Sequence, residues 1–233
     1  MIRAEPLIEA VGLSAGYHGN PIINDIDLAV HAGEMVGLFG ANGAGKTTTL
    51  LTLAGEISPL GGSVSLLGAP HPKSLFKAAR QGLALLTDDR AVFPALTARD
   101  NLRLGQGTVG RAIEIFPELE EHLDRVTGLL SGGQQQMLSL GRILAAKPKV
   151  ILADELSLGL APLVVKRLLL ALRAAADDGA AVLLVEQHVP LALAHADRAC
   201  VLARGRIALE APAAELREHP ERVSDLYLSG SRT

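Results

Sequence analysis

Residues 34–55 read EMVGLFGANGAGKTTTLLTLAG, and the middle of that stretch, GANGAGKT from Gly40 to Thr47, decides the fold. It fits G-x-x-x-x-G-K-[ST], a loop that cradles a polyphosphate when a strand enters it and a helix leaves it. Both flanks are present. Glu34 to Gly40 reads as a strand, and TTTLLTLAG has the apolar spacing of a helix that stops at Gly55, a C-cap. Polyphosphate crowds backbone against ligand, so Gly40, Gly43 and Gly45 supply turns whose N–H groups can point inward, and the helix start adds positive potential. Lys46 is then placed to bridge β- and γ-phosphates and the Thr47 hydroxyl to ligate Mg2+. A glycine turn beside an exposed lysine, the bland alternative, leaves the strand and helix flanks unexplained.

Two further stretches share that chemistry. VILADE, Val150 to Glu155, is an apolar strand ending in two carboxylates, as expected of a strand beside the phosphate loop with its acids at the carboxyl end. Asp154 suits Mg2+, and Glu155 suits a general base that polarises the attacking water. LSGGQQQ, Leu130 to Gln136, leads into MLSLGRILAA, so Ser131, Gly132 and Gly133 leave hydroxyl and N–H groups at a helix start, a second anion site. In isolation the first reads as a strand-end turn and the second as a capped helix. The phosphate loop beside them reverses both readings.

Composition bounds the rest. In 233 residues, 22 Lys plus Arg against 25 Asp plus Glu leave a formal charge of -3, so no polybasic field argues for nucleic acid or an anionic surface. Cys200 lies in the apolar run ACVLA, reads as a buried structural thiol, and fits a reducing cytoplasm. MIRAEPLIEAVGL breaks its apolar residues with charge and proline, unlike a signal peptide. The most apolar runs, VILA and AAVLLVE, fall far short of the roughly 20 residues a membrane span needs. Short strands and helices alternate without repeat or linker, the pattern of one α/β domain. Ile22 to Val30 reads as a strand and Leu13 to Asn20, LSAGYHGN, as a turn-rich loop; ADRACVLARGRIALEA reads as a hairpin around Arg204 and Gly205 followed by two short helices.

LSGGQQQ, together with GANGAGKT and VILADE, resembles the signature set of ATP-binding-cassette (ABC) proteins, and the resemblance extends over nearly the whole chain. It implies an α/β P-loop NTPase fold with a RecA-like core, an antiparallel β subdomain and a helical subdomain. Residues 1–233 then form a single domain, with approximately 1–86 and 144–233 as core and β subdomain and 87–143 as the helical subdomain. The resemblance implies ATP and Mg2+ as cofactors. The nucleotide is expected on Tyr17, Gly40, Asn42, Gly43, Ala44, Gly45, Lys46, Thr47 and Thr48, with Tyr17 stacked on adenine. Ser131, Gly132, Gly133 and Gln134 are expected to serve the nucleotide of the facing subunit, so that two chains build two composite sites. Thr47, Asp154 and Asp88 are the metal positions implied, and Lys46, Glu155 and Gln187 the catalytic ones.

Within that family RAVFPALTARDNL from 90, IEIFPEL from 113, DELSLGLAP from 154 and VEQHV from 185 resemble the ATP-binding subunits of branched-chain amino acid importers. That likeness implies membrane permease subunits, an extracytoplasmic solute-binding protein, a second cassette as homo- or heterodimer partner, and a place on the inner face of the cell membrane. It implies no nucleic-acid partner. Importers of urea and short amides use similar subunits, and the cargo never touches this chain. The sequence departs from the general pattern at Asp88, where most members carry glutamine, at Leu160, where many carry aspartate, and in a shortened stretch between Asn101 and Phe116. At the switch position, which usually holds histidine, counting from Gly179 selects Gln187 and counting from Glu155 allows His188; the first matches the branched-chain group. A soluble cassette that moves a non-membrane partner, and a nucleotide-binding subunit that barely hydrolyses, are the competing function classes.

Overall fold

The computed structural model describes residues 5–87 and 91–230, the last three of these by backbone alone. The chain opens with β1 (Pro6–Tyr17), β2 (Asn20–His31) and β3 (Met35–Gly40), then α1 (Lys46–Ala54), β4 (Gly61–Leu66), β5 (Ala69–Pro70), α2 (Leu75–Gln81) and β6 (Leu83–Leu86). A helical stretch follows: α3 (Ala98–Arg103), α4 (Val109–Ile115), 3-10 turns at Pro117–His122 and Thr127–Leu129, and α5 (Gly132–Leu144). Then come β7 (Val150–Asp154), α6 (Pro162–Asp177), β8 (Ala181–Val185), α7 (Val189–Leu193), β9 (Arg198–Ala203), β10 (Arg206–Pro212), α8 (Ala213–Glu218) and α9 (Glu221–Gly230).

Two sheets result. The antiparallel four-stranded sheet has the order β2-β1-β4-β5, and the six-stranded sheet the order β10-β9-β3-β8-β7-β6, parallel except at the edge strand β10. Its central strands are apolar throughout because both faces are covered. Side-chain alternation divides them. Met35, Phe39, Ile151, Ala153, Val182 and Leu184 face the packed helices α5 to α8, whereas Val36, Leu38, Val150, Leu152, Leu183 and Val185 face α1 and the antiparallel sheet. Cys200 is fully buried in the second cluster, and that burial pushes its thiol up to about 12, an inert structural group.

The C-terminal hairpin and its two helices lie where the sequence puts them, but one local reading is corrected. Leu13 to Tyr17 is strand and not loop: Leu13 and Ala15 are fully buried and pair with Ile26 and Ile23 of β2. Register shifts at Ala10/Leu13 and Leu13/Ala15 hide that pairing from a period-2 pattern. The turn shrinks to His18 and Gly19, both at positive φ, as a two-residue hairpin requires. Strand β7 reaches the phosphate loop, with Asp154 against Thr47, although β8 runs between it and β3. The carboxyl ends of β3, β8 and β7 therefore stand in a row, with the segment after β8 in the middle.

Between β6 and β7 the helical stretch has its own anchor. Phe116 and Leu119 are fully buried, and the Arg167 guanidinium of α6 lies 4.8 Å over the Phe116 ring, fastening this stretch to the core. Asn101, also fully buried, accepts from the Phe93 N–H at 2.9 Å and donates to the Phe93 carbonyl at 3.0 Å, the Thr97 carbonyl at 3.2 Å and the Thr127 hydroxyl at 2.8 Å. One amide thus satisfies a loop that backbone pairing leaves open.

Candidate nucleotide site

The loop from Gly40 to Gly45 joins β3 to α1 through two residues that only glycine fits. Gly40 has φ +150, and a Cβ there meets the Leu202 carbonyl oxygen at 2.5 Å; Gly45 has φ +107, and a Cβ meets Ile23 Cγ2 at 2.5 Å. Gly45 caps α1 without a side-chain hydrogen bond, and the first turn carries no acid. The N–H groups of that turn have no intrahelical acceptors and a favourable dipole, which is an anion site.

Lys46 folds back over the loop. It is 5% exposed, and its Nζ donates to the Gly40 carbonyl at 2.9 Å and the Ala41 carbonyl at 3.3 Å. Burial pulls its pKa down from the ordinary lysine value, opposed by the charges of Glu155 and Asp154. A phosphate that takes over those two carbonyl contacts adds opposite charge and favours the ammonium form. The Thr47 hydroxyl donates to Asp154 Oδ2 at 2.9 Å, bridging α1 to the end of β7. Hydroxyl and carboxylate form a hard-oxygen pair of the type Mg2+ takes. Asp88, the third metal position expected, lies outside the described residues.

Glu155 leaves β7 in a left-handed conformation, φ 45, while its N–H still donates to the Val185 carbonyl at 2.9 Å. That conformation costs a non-glycine residue about 1–2 kcal/mol, and it swings the carboxylate out of the strand. Gln187 Nε2 donates to Glu155 Oε1 at 2.8 Å. His188 instead occupies the N-cap position of α7 and is exposed. Of the two switch candidates, Gln187 is the one hydrogen-bonded to Glu155.

Glu186 escaped the sequence reading. It is 1% exposed and accepts from the Ser157 hydroxyl at 2.6 Å, the Ser157 N–H at 3.0 Å and the Gln187 N–H at 3.2 Å, tying the loop after Glu155 to the end of β8. A carboxylate directly after the apolar run AVLLV was the available signal. Tyr17, 45% exposed, ends β1 at the hairpin tip, and the following Ile22 and Ile23 abut Gly205 and Gly45. Asn42, Gly43 and Ala44 fill the loop, with the Ala44 N–H on the Ala41 carbonyl, and Thr48 is buried one residue beyond Thr47.

The Ser131 hydroxyl is engaged in its own helix, contrary to the free group expected. It accepts from the Gln134 N–H at 3.3 Å while Gln134 Oε1 accepts from the Ser131 N–H at 2.9 Å, a capping box, and Gln134 Nε2 lies 2.7 Å from His122 Nε2. Gly132 and Gly133 follow as the first helical residues of α5, with Val164 against Gly133. The hydroxyl proton and the first amides of α5 remain as donors. A cavity of about 770 Å3 lined by Arg111, Lys147, Arg167 and Leu170 opens at the opposite ends of β7 and β8, away from these groups.

A family model described as ABC transporter matches residues 23–157, a span that holds the phosphate loop, Ser131–Gln134 and Asp154–Glu155. The chain is 39% identical over 229 residues to the high-affinity branched-chain amino acid transport ATP-binding protein BraG of Pseudomonas aeruginosa, covering 92% of this chain and 96% of that one. It is 34% identical over 242 residues to the lipopolysaccharide export system ATP-binding protein LptB of Escherichia coli K12, covering 95% and 96%. Among solved structures, one titled as the ATP binding subunit of an ABC transporter superposes with a TM-score of 0.83 at 26% identity, covering 97% of this chain and all of that one. A sheet that aligns three strand ends around an uncapped helix start, a family match across all three motifs and full-length relatives agree: the chain belongs to the ABC transporter family, as an ATP-binding subunit that hydrolyses ATP to power transport.

Proposed function

We propose that the chain energises an importer of branched-chain or related amino acids, binding Mg-ATP between two cassettes and hydrolysing it to reset the pair. The joined pairs Thr47–Asp154 and Gln187–Glu155 at the start of α1 carry this reading. Thr47 and Asp154 are the residues that would hold Mg2+, which when bound neutralises charge on the β- and γ-phosphates. Loop amides and Lys46 bind the phosphates, and Tyr17 supplies a ring for the base. Glu155 accepts a proton from the water that attacks the γ-phosphorus, as the bond to the bridging oxygen breaks in line. Gln187, bonded to Glu155 Oε1, holds that carboxylate in place. The exposed helix start at Ser131, Gly132, Gly133 and Gln134 serves the facing cassette, either a second copy or a sister chain.

Residues 1–86 and 144–233 act in this reading as nucleotide core and β subdomain, and 87–143 as the helical subdomain. Phe93, Val126 and Leu129, each between 41% and 67% exposed, are the apolar side chains that this reading offers to a cytoplasmic helix of the permease. Among the described residues no helix is long and apolar enough to cross a membrane. The reading seats the chain on the inner face beside permease subunits, with an extracytoplasmic solute-binding protein completing the system, by its likeness to a transport ATP-binding protein. The cargo reading rests on the likeness to BraG and on the quoted branched-chain stretches. LptB, similar over as much of the chain, supports an export reading instead.

Uptake of labelled leucine by cells lacking the chain, and by the same cells given it back, decides between them. Restored uptake with the intact chain and none with Glu155→Gln is the expected result. Unchanged leucine uptake in the deletion refutes the amino acid reading, and uptake of labelled urea run in parallel tests the amide alternative.

A further inference from the structure

The last helix of the chain touches the first residue of the phosphate loop. The Tyr227 hydroxyl of α9 accepts from the Gly40 N–H at 3.1 Å, across 187 residues of sequence. The helix is seated by Val223, Leu226 and Tyr227, spaced i, i+3, i+4, which pack against the large core cluster beside β3 and β9. Burial of the phenol raises its pKa, opposed by the Gly40 bond, while the Glu155 charge adds to the rise.

Gly40 is held on both sides of its Cα. Tyr227 holds the peptide N–H that precedes it, and Lys46 Nζ holds the carbonyl that follows it at 2.9 Å. Those two peptide planes define φ and ψ of Gly40, whose φ of +150 aims the loop and whose Cα hydrogens lie too close to the Leu202 carbonyl to admit a Cβ. When phosphate draws Lys46 from the Gly40 carbonyl, the Tyr227 bond still restrains this residue.

We infer that Tyr227 is a positioning residue for ATP: through its hydrogen bond to Gly40 the C-terminal helix pre-organises the phosphate loop and thereby sets nucleotide affinity. The inference rests on the phosphate-loop reading above. It gives α9 a role in the reaction without contact to the substrate.

The test uses the full chain and a fluorescent N-methylanthraniloyl ATP. Tyr227→Phe keeps the ring and removes the acceptor, and one lost hydrogen bond predicts a dissociation constant about three- to tenfold higher. KM for ATP should rise by a similar factor, with kcat at saturating ATP within about twofold of the parent, because a pre-organised loop acts on binding. Val223→Ala trims the core packing of the same helix while leaving Tyr227 and its bond to Gly40 in place, so it should lower the melting temperature and leave the dissociation constant within about twofold. A Tyr227→Phe constant equal to the parent's, or a Val223→Ala constant raised as much as that of Tyr227→Phe, overturns the inference. Lys46→Ala, run alongside, separates the layers: if it too binds as the parent does, the phosphate-loop reading itself is wrong.

Discussion

Replacing Gln187 by alanine tests the chemistry at Glu155 most directly. The bond removed is a charge-assisted one, 2.8 Å from Gln187 Nε2 to Glu155 Oε1, and Gln187 is exposed. Such bonds are worth about 1.5–3 kcal/mol when shielded, and solvent at this edge reduces the figure to about 1 kcal/mol. At 1.4 kcal/mol per decade, loss of the bond lowers the hydrolysis rate about fivefold. Gln187→His, which keeps a ring N–H donor, should recover part of that loss, and Gln187→Glu, which sets a second carboxylate against Glu155, should be slower than alanine. His188→Ala should remain within about twofold of the parent, because His188 stands at the N-cap of α7. Phosphate release under saturating Mg-ATP, at matched protein concentration, measures all four variants. A His188→Ala rate below that of Gln187→Ala refutes the register and the role together.

Three further outcomes are expected. Glu155→Gln should bind ATP and persist as an ATP-loaded dimer on gel filtration; a monomer at saturating nucleotide refutes composite sites. Asn101→Ala removes hydrogen bonds to Phe93, Thr97 and Thr127 from a fully buried position and should cost about 3–5 kcal/mol by urea unfolding followed by circular dichroism, whereas a loss under about 1 kcal/mol contradicts the anchoring described. His71 and His195 are both held below the ordinary histidine value of 6.5, in each case chiefly by burial, with Lys166 and Arg173 acting further on His195. The unfolded chain therefore binds more protons than the folded one below that value, so stability is present above about pH 6.5 and is lost as pH falls. The melting temperature should drop between pH 7.5 and 5.5 and drop less in His71→Gln; equal drops refute the assignment to His71.

How much of this was legible in sequence varies with distance along the chain. The loop Gly40–Thr47, the strand before it and the helix ending at Gly55 are local: glycine torsions, a lysine and an uncapped helix start are properties of neighbouring residues, and α1 ends in a left-handed Gly55 as its sequence requires. The hairpin at Arg204 and Gly205, the buried Cys200 and the carboxylates closing VILAD were legible for the same reason. Leu13–Tyr17 was not, because bulges shift its pairing with β2 and its apolar residues fall out of strict alternation.

Tertiary structure alone decided what meets what. No spacing in the sequence says that β8 runs between β3 and β7, and that order is what brings Gln187 to Glu155 and Glu186 to Ser157. No motif marks Asn101 as the tie of the helical stretch, since an asparagine inside ARDNLR reads as a surface helix residue until Phe93, Thr97 and Thr127 close around it. Nor does anything in ERVSDLYLSG announce that Tyr227 reaches back to Gly40. The phosphate-binding element, the α/β class and the acids available follow from neighbouring residues, because backbone torsion and side-chain chemistry are local. Which acid, amide and phenol share one site was decided by strand order and helix packing, where contacts separated by many residues are selected by the burial of the whole core.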